Sequence, residues 1–219
     1  MKSIKENQAL IAWPGASNFK YSAKLSILFF LIFYALFATT DYIASLHSYR
    51  VDAYFDFELM IPKVTWMSLI YLSISPFLLL APFIIRDKNE FKAFFNVMLI
   101  ETIIASIFFL SFPVEVSYPE QLGIGFFEPF YIFADKINLT YNELPSLHVA
   151  FAYTAAITFK QKAKKTHRTI IMTWANLIAI STILTHQHHL LGAFSGILLA
   201  VLTLKLFEDY NKTSSINRN

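Results

Sequence analysis

The sequence predicts an all-α fold, a bundle of six transmembrane helices with both the N and the C terminus cytoplasmic. Three observations predict it. The chain of 219 residues is 56% hydrophobic and only 15% charged, with a mean hydropathy of +0.49. Soluble domains carry about 25% charged residues, and a water-soluble fold of this composition would expose large apolar patches. Six apolar stretches approach the ~20 residues needed to cross the hydrocarbon core. The basic residues are also split by connection: of the 18 Lys and Arg, only Arg50, Lys63 and Lys136 fall on one side of the six-span plan.

The first stretch, 25–45, follows Lys2, Lys5, Lys20 and Lys24. Its length and the lack of a clean small-residue cleavage site favour an uncleaved helix over a signal peptide. The second is 64–85. The third, 93–113, contains one carboxylate, Glu101, which reads as a hydrogen-bonding group between helices; orienting a site histidine is the alternative. The fourth, 146–159, is short, and the fifth and sixth are 169–185 and 189–207. With no water in the bilayer to satisfy the backbone, these runs are expected as helices. The plan divides the chain into an N-terminal tail (1–24), a membrane domain (25–207) and a C-terminal tail (208–219).

Orientation follows from the positive-inside rule. The second-to-third connection carries Arg86, Lys88 and Lys92, and the fourth-to-fifth carries Lys160, Lys162, Lys164, Lys165 and Arg168. This last run reads as an anchor beside anionic lipid. The opposite side holds Asp52, Asp56, Glu58, Glu115, Glu120, Glu128, Asp135 and Glu143. Its one long connection, 114–145, contains the aromatic run GIGFFEPFYIF, expected as an interfacial or re-entrant segment. Asn138-Leu139-Thr140 matches a glycosylation acceptor, a triplet common by chance. The absence of cysteine excludes disulfides, thiolate metal sites and cysteine catalysis. A net charge of +3 gives no broad nucleic-acid surface.

The unusual polar groups gather at the non-cytoplasmic face. Leu144-Pro145-Ser146-Leu147-His148 opens the fourth span, and Thr185-His186-Gln187-His188-His189 joins the fifth to the sixth. Ionisable groups at membrane depth are functional candidates by default, and histidine suits proton transfer near neutral pH. Pro145 fits the first turn of a helix, which would set Ser146 and free backbone N–H groups at an anion-binding N-terminus. A capped helix with an interfacial histidine explains the same residues without chemistry. His186 and His189 are three residues apart, but no carboxylate or thiolate lies beside them in sequence, so no metal site is expected.

LPSLHVA, followed about forty residues later by STILTHQHHLLGAFSG, resembles the type 2 phosphatidic acid phosphatase superfamily of membrane lipid phosphatases and phosphotransferases. Pro145, Ser146 and His148 match its second signature. Ser181, His188 and Gly196 match the serine, histidine and glycine of its third. Residues 50–205 carry the likeness, with IPKVTWMSLIYLS similar to the branch near inositol phosphorylceramide synthases. Gly192 stands where that signature has an aspartate, Thr182 stands where it has an arginine, and the first, basic signature is not recognisable. Around its expected place the chain reads FPVEVSYP.

The resemblance implies a six-helix core and a reaction without metal or other cofactor. His188 would be the nucleophile that forms a phosphohistidine, and His148 the acid that protonates the leaving oxygen. Ser146 and its neighbouring N–H groups would hold phosphate, with Lys136 as a further candidate contact. The substrate would be a lipid phosphate or polyprenyl phosphate, with no nucleic-acid partner. The expected setting is a bacterial inner membrane, with the site facing the periplasm or exterior. Glu101, Glu143 and His189 are the candidates to replace the orienting aspartate. The rival expectation is a catalytically inactive relative that binds a lipid headgroup or a membrane partner.

Overall fold

The computed structural model describes residues 9–119 and 125–216, with side chains described as far as residue 208. Every regular element among the described residues is helical. Among the described residues, three helices are long and apolar enough to cross a membrane: Ala16–Ser45 (α1), Lys88–Ser111 (α5) and the Leu190–Glu208 part of the last helix. Residues 120–124, including Glu120 and the first two residues of the aromatic run, lie outside the described residues.

The expected second span is not one rod. It forms three short helices in tandem, Met67–Leu72 (α2), Ile74–Leu79 (α3) and Ala81–Ile84 (α4). Pro76 and Pro82 explain the breaks: neither can donate the i→i−4 hydrogen bond, and each ring crowds the carbonyl four residues earlier. Ser73 and Leu80, at the junctions, keep right-handed helical backbone, so the segment bends without leaving its course.

Helices cover the other expected stretches, with shifted ends. α1 begins nine residues before the expected position. α5 starts after Asp87, whose side chain accepts the N–H groups of Asn89 and Glu90 at 2.9 and 3.1 Å. The remaining helices are Glu128–Asn138 (α6), Leu147–Lys162 (α7), Lys165–Leu184 (α8) and Leu190–Ile216 (α9). α6 comes from the aromatic run. Phe130, Ile132, Phe133 and Ile137 are exposed on it, while Ala134 and Asn138 are buried.

Aromatic rings join the N-terminal helices. Phe29, Phe33 and Phe37 follow one another at i, i+4 and i+8 on α1, stacked at 6.0 and 5.2 Å. Phe29 meets Phe95 and Phe37 meets Phe109, so α1 and α5 run parallel. Small residues pack the C-terminal half. Ala150, Ala152, Ala155 and Ala156 of α7 are fully buried, as is Ala175 of α8, allowing close backbone approach. Glu101 joins three helices, accepting hydrogen bonds from Thr154 of α7 and, at 2.8 Å, Thr203 of α9. It takes the cross-helix role.

Candidate functional site

Two short loops build the site, 139–146 before α7 and 185–189 before α9. Ser146 is the N-cap of α7, its hydroxyl accepting the N–H of Val149 at 3.3 Å. Pro145 therefore precedes the cap and is not in the first turn. The N–H groups of Leu147 and His148 take no hydrogen bond among the described residues. In the second loop, the N–H groups of Gln187 and His188 both reach the carbonyl of Thr182, at 2.9 and 3.1 Å. His186 adopts a positive φ of 58°, which turns the chain sharply enough to bring His188 inward.

α9 seats both loops through two glycines. A Cβ at Gly192 would lie 2.7 Å from the carbonyl oxygen of Glu143, and one at Gly196 would lie 2.5 Å from that of Ser146. The N–H of Ser146 donates to the carbonyl of Gly192 at 3.0 Å. The aspartate that the resemblance leads one to expect at 192 therefore has no room.

Glu143 occupies the place beside the histidine instead. Nδ1 of His188 lies 2.9 Å from Oε2 of Glu143 and 3.2 Å from its backbone carbonyl. The single Nδ1–H is shared between the carbonyl and the closer carboxylate oxygen. The carboxylate acts as a charge against the ring. Since carbonyls only accept, Nδ1 carries the proton and the Nε2 lone pair is left available. Burial pushes the Glu143 carboxyl above the usual range, while His188 pulls it down. Asn138 supports the carboxylate at 3.5 Å and the Gln187 carbonyl at 3.2 Å, and accepts from the Tyr71 hydroxyl at 3.1 Å. The side chain of the glycosylation triplet is thus buried and in use.

His148 stacks on Tyr71 with ring centroids 3.8 Å apart, and its Nε2 donates to the Tyr71 carbonyl at 2.8 Å. Its other ring nitrogen, Nδ1, is the one left for chemistry. His148 and His188 both line a cavity of about 850 Å³. Most of the wall is apolar, with Phe29, Phe33, Phe94, Phe95 and Phe151 among its residues, and Tyr71, Asn138 and Asn142 stand with the histidines. This is a long hydrophobic chamber with two imidazoles in its polar part.

The remaining histidines form a second cluster. Tyr118 lies between His186 and His189, stacked at 4.0 and 4.2 Å. His189 Nδ1 lies 3.3 Å from Glu58, and its Nε2 accepts the N–H of Ser117 at 3.2 Å, which fixes the tautomer. Glu58 also accepts the N–H of Leu190, the first residue of α9, at 2.7 Å. Burial holds His186 and His189 below the ordinary imidazole range, with Glu58 opposing the effect at His189. Among the described residues, no group of three or more His, Cys, Asp and Glu is placed to hold a metal ion.

Of the residues expected from sequence, His148, His188 and Glu143 come together. Ser146 is fully buried and shapes the helix start, but does not line the cavity. Lys136, in the last turn of α6, is exposed and does not line it either. Glu58, Tyr71 and Asn142 were not foreseen. The only signal for Glu58 was an acid among apolar residues in DFELM.

A family model described as the PAP2 superfamily matches residues 61–206. No curated protein and no solved structure matches the chain.

Proposed function

The chain belongs to the PAP2 superfamily, and from that premise we propose that it is an integral membrane phosphatase or phosphotransferase acting on a lipid phosphate through a phosphohistidine. The observation that carries this reading is the chamber with His148 and His188 in its wall and Glu143 against the second ring. An apolar wall suits a lipid tail, and the imidazoles stand where a headgroup would lie.

In the mechanism, Nε2 of His188 attacks phosphorus while Glu143 and its carbonyl hold Nδ1, and the carboxylate offsets the positive charge that develops on the ring. His148, whose Nε2–H is held by the Tyr71 carbonyl, has to enter the step doubly protonated; it then gives its Nδ1 proton to the leaving oxygen and returns to the neutral ring. The N–H groups of Leu147 and His148 face the developing charge at the start of α7, where the helix dipole favours an anion. Ser146 contributes by capping that turn. Positioning and charge supply most of phosphoryl-transfer catalysis, so no step needs a covalent group from another cofactor. Water or a lipid hydroxyl then takes the phosphoryl group from His188.

The proposal includes six crossings, counting α2–α4 as one bent span, with both termini cytoplasmic and the site at the periplasmic or exterior face of a bacterial inner membrane. The charge split between connections supports it. One observation favours the second reading, a catalytically inactive member that binds a lipid headgroup or a membrane partner: among the described residues, no Lys or Arg lines the cavity.

The test is phosphate release by purified protein from a panel of lipid phosphates, with acid quench to trap a labelled enzyme. Label on wild type that is absent from His188→Ala supports the mechanism. Turnover unaffected by His188→Ala refutes it.

A further inference from the structure

Three successive hydrogen bonds of the helical ladder are missing where α2 gives way to α3. Ser73 still donates to the carbonyl of Leu69 at 3.1 Å, and Phe77 donates to that of Ser73 at 3.0 Å. Between them, Ile74 and Ser75 make no such bond to Ile70 and Tyr71, and Pro76 has no N–H to give to Leu72. A proline removes one ladder bond by itself; the bend forced by its ring opens the neighbouring ones. A carbonyl released inside a protein needs another donor.

Two of the three find one in a side chain. The hydroxyl of Ser73 donates to the Ile70 carbonyl at 2.5 Å and accepts the indole N–H of Trp174 from α8 at 3.2 Å. The Tyr71 carbonyl accepts Nε2–H of His148 at 2.8 Å. Tyr71 also holds that imidazole from its face, with ring centroids 3.8 Å apart and planes 15° apart. The Tyr71 ring is itself fixed: it is buried, and its hydroxyl donates to Oδ1 of Asn138 at 3.1 Å. Asn138 in turn donates to the carbonyl of Gln187 at 3.2 Å, so this end of the joint is tied to the loop that carries His188. Pro76, by contrast, is exposed, and its ring adds little to the core.

We infer that Pro76 is a positioning residue for His148: the break it imposes opens the Tyr71 carbonyl to Nε2–H and leaves Nδ1 as the nitrogen that carries the transferable proton. The inference rests on the reading of His148 as the acid and names the device that orients it. In an unbroken helix the Tyr71 carbonyl would meet the N–H of Ser75, and His148 would lose the acceptor it now uses. A neutral ring without that acceptor can carry its proton on either nitrogen. With Nε2–H held, the doubly protonated ring releases its Nδ1 proton to the leaving oxygen and returns to the Nε2–H form. It is then ready to take up the next proton at the same atom.

The experiment is nitrogen NMR of the full-length protein labelled at its histidine ring nitrogens, in detergent and above the ordinary imidazole pKa. The His148 signals are identified by their loss in His148→Gln. Wild type is expected to carry the neutral-ring proton on Nε2 alone. Pro76→Ala restores an N–H donor and removes the crowding ring, so its neutral His148 is expected to exchange between the Nε2–H and Nδ1–H forms. Pro76→Leu serves the same purpose should the alanine variant fail to fold. Tyr71→Phe keeps the carbonyl and the stacked ring and is expected to keep the wild-type tautomer. An Nδ1–H ring in wild type, an unchanged tautomer in the proline variants, or a mixed one in Tyr71→Phe would overturn the inference.

Turnover separates this outcome from that of the enzyme reading. Where wild type releases phosphate, Pro76→Ala is expected to lower kcat by about 10–10²-fold, with KM within about threefold of wild type, as for a misplaced group. Its unfolding temperature should not fall, because alanine suits a helix better than proline. A mixed tautomer with unchanged kcat would overturn the positioning role. Wild type that releases no phosphate from any lipid removes the enzyme reading, and the tautomer measurement still decides what Pro76 does to the ring.

Discussion

Glu143 and His188 are 45 residues apart in the chain, yet the carboxylate of one lies 2.9 Å from Nδ1 of the other, both fully enclosed. His188 lines the chamber, and Glu143 lies behind its ring. If His188 is the nucleophile, Glu143→Gln leaves the fold intact and removes the charge that stabilises the forming imidazolium. Loss of an orienting acid of this kind costs up to about 10⁴ in rate. We expect Glu143→Gln to lower turnover by 10²–10⁴, on the order of that precedent, and the double variant with His188→Ala to be no worse than His188→Ala alone. Independent, additive losses in a phosphate-release assay would show that the two do not act as a unit.

Gly192→Asp does not rebuild the missing signature acid. Its Cβ would meet the Glu143 carbonyl at 2.7 Å, and that carbonyl is itself aligned with His188. Overpacking of this kind costs about 1–3 kcal/mol. Gly192→Ala and Gly192→Asp are both expected to lower the unfolding temperature in detergent, with no gain in turnover from the aspartate. A functional gain would mean that the loop yields more readily than its packing implies.

Acid should loosen the Tyr118 clamp. His186 and His189 have lowered pKa values, so the folded state resists protons that the unfolded chain accepts near pH 6.5. Their contribution is complete above that value and is lost as pH falls through it towards their folded values. Glu143, raised in the fold, has the opposite sign: it favours the folded state at lower pH, and that gain disappears as pH rises through its folded value. The informative comparison is therefore between proteins. His186→Gln with His189→Asn keeps the Nε2 and Nδ1 donors to Ile61 and Glu58. We expect this double variant to show a smaller fall in unfolding temperature between pH 7.5 and 5.5 than wild type. Identical falls would exclude the clamp as the acid-sensitive element.

Reporter fusions test the orientation. A fusion after Lys164 should read cytoplasmic and one near Glu120 should read on the opposite side. Both reporting the same side would overturn the proposed topology.

Much of the candidate site was legible because its polar side chains sit in two short motifs. A serine before LHVA marks a helix start, and the structure uses Ser146 as that cap. The histidines of HQHH lie beside a turn that places them inward. Glu143 was visible only as one of three acids or bases that might serve, since sequence gives no distance across 45 residues. Glu58 was harder still. It meets His189 from 131 positions away, out of the 3₁₀ helix Asp56–Met60, which is too short to show a periodicity. Gly192 read as a loss in sequence, whereas in the fold it is the opening through which the Glu143 loop reaches His188. The second span misled for a different reason. Hydropathy counts apolar side chains and is blind to Pro76 and Pro82, whose effect is on backbone hydrogen bonds.

That interrupted span has a mechanical consequence. Tyr71, Leu72, Ile74, Ser75, Leu78 and Leu79 all border the chamber, so one of its walls belongs to the pieces of a rod jointed at two places. The facing walls of α1 and α5 are long unbroken helices. A jointed wall is a poor ruler: it gives way by bending at its joints, without unmaking the packing on either side. For a guest of the proposed lipid class, chain length and branching would therefore be measured loosely, and its headgroup by the two loops around His188 and His148.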